Sequence, residues 1–203
     1  MITIGRQFGS GGHEVGRILA GMLGIPCYDK ELIFLAAQKA GMSPEVFSHV
    51  DETATSSFLY AVSAGGYPGT VYQPTQSLPL NDRLFILQSE IIKAKAKEGP
   101  CVFVGRCADF ILADASPVLN VFIRADLPFR MARIVEAEHC SEKEAADLIA
   151  KSDKKRAKYY NFYTQKRWGA IDGYDLVINN ALFGSEKTAA RIAEFAADLA
   201  TDK

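Results

Sequence analysis

The chain has 203 residues, of which 48% are hydrophobic and 23% are charged, and its formal net charge is −1. This length suits one domain with a full core, and the balanced charge provides no overall field that favours nucleic acid or a membrane as a partner. No apolar run reaches the roughly 18–20 residues that a membrane helix needs, and the first apolar run starts too early for a secretory signal. The four cysteines show no C-x-x-C spacing. We therefore expect a cytoplasmic protein that binds small molecules, and form no expectation of its oligomeric state.

The first part of the chain alternates between strand and helix patterns. In chain order we predict a strand, a glycine-rich loop, a helix, a short strand and a second helix, over residues 2–4, 5–14, 15–23, 25–29 and 31–39. Residues 53–81 differ, because they are rich in Ser, Thr, Gly, Pro and Tyr. Such composition is typical of irregular structure, and we interpret this segment as a cap over a site.

The second part of the chain continues the alternation. In chain order we predict a helix, a strand, a strand, two helices, a strand and a last helix, over residues 82–97, 101–104, 118–123, 127–138, 142–162, 176–178 and 186–199. Unbroken apolar runs such as residues 101–104 are typical of strands that are covered on both faces. The pattern predicts an α/β fold with a parallel sheet, in which ligands bind at the carboxyl ends of the strands.

The glycine-rich loop between the first strand and the first helix is the strongest functional signal. Its backbone N–H groups, together with the helix N-terminus, would form a cradle for phosphate. The residues of this cradle are Gly9, Ser10, Gly11, Gly12 and His13. Aligned on Gly11, the phosphate-loop pattern G-x-x-x-x-G-K-[ST] has Arg6 at its first glycine and Gly12 at its lysine. His13 and Glu14 stand where the pattern has its hydroxyl.

Two other interpretations of this loop stay open. It could be a glycine-rich strand-to-helix turn without a ligand. It could also belong to a dinucleotide-binding oxidoreductase, because Gly9, Gly11 and Gly16 loosely follow G-x-G-x-x-G and Asp29 lies where a ribose-binding acid belongs. Glu14 breaks that fingerprint, since it occupies the position of the last glycine.

Cationic residues follow the predicted strands. Arg106 comes directly after the strand at residues 101–104, and an arginine there can grip a phosphate with two N–H groups. Arg130 and Arg133 are three residues apart, so they share a helix face, and they could neutralise a phosphoryl group during transfer. Asp153 and Arg156 share the same spacing and could read the edge of a base, or they could simply pair with each other. For each of these residues a solvated surface position is the alternative.

Together these residues resemble the cytidylate kinase family, and more narrowly its cytidylate kinase-like branch. The similarity runs through most of the chain in one order, at Ile2-Thr3-Ile4 and the loop through Gly11, Tyr28-Asp29, Arg83 and Gln88, Val104-Gly105-Arg106, Asp109, Asp114-Ala115, Val121-Phe122-Ile123, Arg130 and Arg133, Asp153 to Arg156, and Asp175 to Asn179. The resemblance implies a P-loop-type three-layer α/β fold with a five-stranded parallel sheet. It also implies a single domain over residues 1–203, with a cap at about 53–81 and a helical lid at about 130–160.

The resemblance further implies an enzyme that uses ATP and Mg²⁺ to phosphorylate a nucleoside monophosphate, CMP or dCMP. The loop would hold the ATP phosphates, with magnesium bridging them mainly through water. The acceptor would be bound by Asp29, Arg83, Arg106, Asp153 and Arg156, of which Asp153 and Arg156 would contact cytosine. Arg130 and Arg133 would act on the transferring group. No residue is assigned as a metal ligand, although Asp29 could also contact the magnesium.

The sequence departs from the family pattern at the loop lysine, which is Gly12 here. We predict that Arg6 supplies the missing cation, with His13 and Arg17 as alternatives. It also departs on the acceptor side, where Val104 and Cys107 stand in place of the two aspartates of the family's D-G-R-D segment. Two further functions stay open because of these departures. One is a non-catalytic nucleotide-binding regulator on the same fold, and the other is a kinase that acts on a different small molecule.

Overall fold

The computed structural model describes residues 1–29, 32, 80–115 and 117–201. We number its strands and helices along these residues. The strands are β1 (Ile2–Arg6), β2 (Cys27–Tyr28), β3 (Val102–Val104), β4 (Leu119–Arg124) and β5 (Leu176–Asn179). The helices are α1 (Gly12–Leu23), α2 (Leu80–Glu98), α3 (Ala108–Ile111), α4 (Leu127–Glu138), α5 (Glu142–Thr164) and α6 (Asn180–Thr201), with a 3-10 turn at Ile171–Gly173. The helix predicted over residues 31–39 and nearly all of the cap predicted over 53–81 lie outside the described residues; residues 80 and 81 begin α2.

The five strands form one parallel sheet in the order β2-β3-β1-β4-β5. The strand β1 therefore lies at the centre, with Ile4 beside Val104 on one side and beside Val121 on the other. This order confirms the predicted α/β class. It excludes the dinucleotide-binding fold, in which β1 is paired with β2 rather than with β3.

Helices cover the sheet on both faces, because alternate residues of each strand point to opposite sides. On one face α1 and α6 pack against Ile4, Val104 and Val121. On the other face α2 and α3 pack around Phe103. Burial on both faces explains why the strands are continuous apolar runs, and the three layers place all strand carboxyl ends at one edge.

The helices of the second half follow the predicted bounds closely, since their apolar periodicity is strong. The helix α4 matches its prediction, and α5 begins with a capping box in which Ser141 and Glu144 satisfy each other's backbone N–H groups. The last helix begins six residues earlier than its predicted start at residue 186, at Asn180, and is interrupted at Gly184, whose φ of 74° is not helical. Within the described residues, no helix is both long enough and apolar enough to cross a membrane.

Candidate functional site

The glycine-rich loop connects β1 to α1 at the carboxyl edge of the sheet. Gly9 and Gly11 adopt left-handed φ values of 76° and 84°, which glycine accepts without a steric penalty. The first N–H groups of α1 have no acceptor within the helix, so they are available to an anion. A cavity of about 380 Å³ opens over the loop, and its walls include Arg6, His13, Asp29, Arg133 and Arg156.

Arg6 crosses the space that a side chain at position 12 would occupy. A Cβ atom on Gly12 would lie 2.5 Å from the Cβ of Arg6, and a Cβ on Gly105 would lie 1.8 Å from its Nη1. The arginine therefore runs between two glycines, one on α1 and one after β3. The Arg6 side chain is buried, and its Nη2 reaches to 3.6 Å from Oδ1 of Asp29. This packing explains why the loop has glycine where the common pattern has lysine.

Asp29 joins two side chains of the site. It follows β2 directly and is 5% exposed. Besides its ion pair with Arg6, its Oδ2 lies 2.6 Å from Nδ1 of the exposed His13. Asp29 thus links the end of β2, the end of β1 and the first turn of α1.

Asn180 is hydrogen-bonded to the loop backbone. It is fully buried at the junction of β5 and α6, and its Nδ2 donates to the carbonyl of Ser10 at 2.8 Å. Thr188 donates to its Oδ1 at 2.8 Å, which fixes the orientation of the amide. A Cβ on Gly11 would lie 2.5 Å from Asn180 Nδ2, so this close approach requires glycine. The sequence pattern does not single out Asn180, although its position directly after an apolar strand is a signal that could have found it.

Side chains of α4 and α5 also form hydrogen bonds to the backbone of the loop. Asp153 accepts a hydrogen bond from the Phe8 N–H at 2.8 Å, and Arg130 Nε donates to the Phe8 carbonyl at 2.8 Å. Arg130 and Asp153 also form an ion pair with each other. Arg156 donates to the carbonyl of Arg6 at 3.2 Å. The predicted lid residues are thus bonded to the backbone of the loop.

The other predicted site residues have different surroundings. Arg133 forms a half-exposed ion pair with Glu14 at 2.7 Å across the cavity. Arg106 is 3% exposed and has a left-handed φ of 63°, and its carbonyl accepts a hydrogen bond from the buried Gln88. Arg83 lies half-buried on α2 and is not among the described residues that line the cavity.

A second, small cavity of about 30 Å³ adjoins the first, and Arg6 and Arg156 line both. Arg106 and Asp109 also line it. Burial raises the pKa of Asp109, and the Tyr160 hydroxyl, which donates to its Oδ2 at 2.6 Å, offsets part of this rise. The same burial, with the Asp109 charge nearby, raises the pKa of Tyr160. Three arginines, Arg6, Arg106 and Arg156, therefore line the second cavity together with the buried carboxyl group of Asp109.

The phosphates of ATP fit this site, since glycine backbone and the fixed charge of Arg6 meet there. A loop hydroxyl for magnesium has no counterpart, because the Ser10 side chain is fully buried and donates to the carbonyl of Gln7 at 2.8 Å. Among the described residues, no cluster of three or more His, Cys, Asp or Glu side chains could hold a metal ion.

Comparisons with known proteins agree with this geometry. The model of the cytidylate kinase-like family matches residues 1–182. None of the curated protein sequences matches the chain significantly. Among solved structures, an uncharacterized protein from Eubacterium ventriosum ATCC 27560 is 30% identical, with 96% of both chains covered and a TM-score of 0.70.

More distant structures share the fold. Shikimate kinase from Bacteroides thetaiotaomicron is 14% identical, with 97% of both chains covered and a TM-score of 0.53. TT1252 from Thermus thermophilus is 16% identical, with 97% of this chain and 96% of that chain covered and a TM-score of 0.52. At these identities the likeness shows the fold alone.

Proposed function

This chain belongs to the cytidylate kinase-like family, and on that premise we propose that it transfers the γ-phosphoryl group of ATP to a small-molecule acceptor. The observation that carries the proposal is the path of Arg6 between Gly12 and Gly105. It supplies a buried, permanently charged guanidinium at the loop where the lysine of the common pattern is missing. The departure from the pattern is thus a rebuilt phosphate site rather than a lost one, which argues against a non-catalytic regulator.

In the proposed reaction the protein positions and neutralises phosphate groups. The N–H groups from Gly9 to His13 bind the ATP phosphates, and Arg6 and Arg133 neutralise the charge that spreads over the transferring group. An acceptor oxygen forms a bond to the γ-phosphorus, the bond from that phosphorus to the β–γ bridging oxygen breaks, and ADP leaves. When bound, magnesium would offset charge on the ATP phosphates.

For the acceptor, the family resemblance favours CMP or dCMP. In that case Arg106 and Arg83 bind the acceptor phosphate, and Asp29 contributes to the acceptor site. In support of this role, Arg106 lines the second cavity, next to the loop. The resemblance assigns Asp153 and Arg156 to the cytosine ring of such an acceptor. The cap over residues 53–81 would complete this side of a single domain, in a cytoplasmic enzyme.

A different small-molecule acceptor is the second candidate, and one observation favours it. Asp153 and Arg156, the two residues that the resemblance assigns to cytosine, both bond to the loop backbone here. An acceptor without a cytosine ring does not need them.

The test is a calorimetric titration with ATP and Mg²⁺, followed by ADP release with CMP, dCMP, UMP and non-nucleotide acceptors. We expect ATP binding and acceptor-dependent ADP release. Arg6→Ala should weaken ATP binding by about tenfold or more, since a hydrogen bond to a charged group contributes about 1.5–3 kcal/mol. The control is Arg191→Ala, because Arg191 is exposed on α6 and pairs only with Glu194 among the contacts described. Absence of ATP binding by the wild-type protein would refute the proposed function.

A further inference from the structure

The loop residue Phe8 is enclosed by the helix pair α4–α5. Its N–H donates to Asp153 Oδ1 and its carbonyl accepts from Arg130 Nε, both at 2.8 Å. The ion pair between Arg130 Nη2 and Asp153 Oδ2, at 2.5 Å, closes a ring around this one peptide segment. Arg130 is 6% exposed, so most of this ring is shielded from water.

Packing ties the same segment to the same helices. Phe8 packs against the apolar cluster of Ile134, Ala145 and Ile149 between α4 and α5. The guanidinium carbon of Arg156 lies 5.5 Å from the centre of the Phe8 ring. Gly9 lies close to α4, because a Cβ there would be 3.1 Å from the Arg130 carbonyl oxygen, which is tighter than an ordinary contact. Polar and apolar contacts therefore hold the loop at one position relative to α4 and α5.

We propose that Arg130 and Asp153 are positioning residues that brace the phosphate loop for ATP, and that Asp153 does not read the acceptor. The inference rests on the proposed function, because it concerns the same ATP site. Both carboxylate oxygens of Asp153 are engaged, one by the Phe8 N–H and one by Arg130. Each oxygen keeps a second lone pair, but the two bonds hold the carboxylate against the loop. Turning it toward a cytosine amino group would break one of them and loosen the loop that holds ATP.

This brace assigns α4–α5 a role different from that of a closing lid. A lid must separate from the loop to admit ligand, whereas this pair bonds to the loop backbone at Arg6 and Phe8. Selection of the acceptor would then depend on residues other than Asp153.

The test compares ATP affinity with acceptor discrimination in Asp153→Asn. Asparagine keeps an oxygen for the Phe8 N–H and loses the charge opposite Arg130. We expect the Kd for ATP, measured without acceptor, to rise about tenfold or more, as for a lost charge-assisted bond. The ratio of kcat/KM for CMP to that for UMP should stay within about twofold. The matched control is Asp147→Asn, which makes the same charge change at an exposed position of α5.

A second measurement does not depend on activity. Hydrogen–deuterium exchange at the Phe8 amide should be faster in Asp153→Asn than in wild type, while exchange in β1 and β4 stays the same. Arg130→Lys keeps a cation opposite Asp153 but cannot bond to both the carboxylate and the Phe8 carbonyl. Arg130→Lys should therefore show weaker ATP binding and faster exchange at the Phe8 amide. It tests the inference if Asp153→Asn does not fold.

Three outcomes overturn the inference. One is unchanged ATP affinity in both variants, whichever way discrimination moves. Another is a tenfold change in the CMP-to-UMP ratio, and the third is unchanged exchange at Phe8. A wild-type protein that binds no ATP but shows the expected exchange contradicts the proposed function and leaves the brace in place.

Discussion

Restoring the lysine of the common phosphate-loop pattern should damage this protein. In Gly12→Lys the new Cβ would lie 2.5 Å from the Cβ of Arg6 and 3.4 Å from the Cβ of Ile123. Both neighbours are the first side-chain atoms of strand residues, so neither can swing away. Because ordinary carbon contacts are about 3.5–4.0 Å, α1 and β1 must separate by about 1 Å.

The expected cost has two parts. Overpacking of this kind destabilises a protein by about 1–3 kcal/mol. Displacement of Arg6 would remove its proposed charge-assisted bond to phosphate, of about 1.5–3 kcal/mol, which corresponds to an ATP affinity about 10- to 150-fold lower. The double variant Arg6→Gly/Gly12→Lys relieves the collision and supplies a lysine, so it should bind ATP more tightly than either single variant.

The assay is calorimetric titration with ATP, together with thermal unfolding of each variant. Gly21→Lys is the matched control, because Gly21 lies on the same helix with no atom within 4 Å of an added Cβ. It should bind ATP as wild type does and gain about 0.5–1 kcal/mol of stability, since glycine is a poor helix residue. The reasoning is refuted if Gly12→Lys alone binds ATP as tightly as wild type.

Three further predictions follow from the same structure. Gly105→Ala should weaken ATP binding, because its Cβ would lie 1.8 Å from Nη1 of Arg6. The control is Gly24→Ala, which has a similar positive φ but open space around its Cβ, so it should lose only stability. Equal ATP affinities of the two variants would contradict this prediction. Burial raises the pKa of Asp109, so the folded protein binds the proton of this carboxyl group more tightly than the unfolded chain does. The protonated carboxyl group therefore adds stability at low pH, and this stability is lost as the pH rises above the ordinary aspartate pKa of about 3.9. Asp109→Asn, which keeps an acceptor for Tyr160, should therefore raise the melting temperature more at pH 7 than at pH 4, and an equal shift at both pH values would count against it. Ser141→Ala should lower the free energy of unfolding by about 1 kcal/mol in a denaturant titration, because the side chain caps α5; an unchanged midpoint would contradict the capping role.

The family assignment changes how the departures in the loop are understood. In isolation, Gly12 at the lysine position suggests a degenerate site. With Arg6 lying against it and reaching Asp29, the same glycine is a requirement of a different arrangement of charge. Similar reasoning applies to Asp153, whose spacing from Arg156 suggested a pair that reads a base but whose oxygens bond to the loop and to Arg130.

The class of fold and the edge of the sheet that carries the site can be predicted from the amino-acid sequence alone. Apolar runs and helical periodicity are local consequences of burial, so they predicted the five strands and the bounds of α4 and α5 closely. The parallel sheet then placed the loop, Asp29 and Arg106 at one edge, because all strand carboxyl ends meet there.

Which side chains meet at that edge is seen only in the packing of the helices and strands. The passage of Arg6 between Gly12 and Gly105, the support of Ser10 by Asn180 and the bonds to Phe8 join residues that are far apart in the chain. Spacing along a helix shows that two residues share a face, but it does not show what that face meets. These contacts depend on how helices and strands pack, and packing is fixed by the whole core rather than by any local pattern.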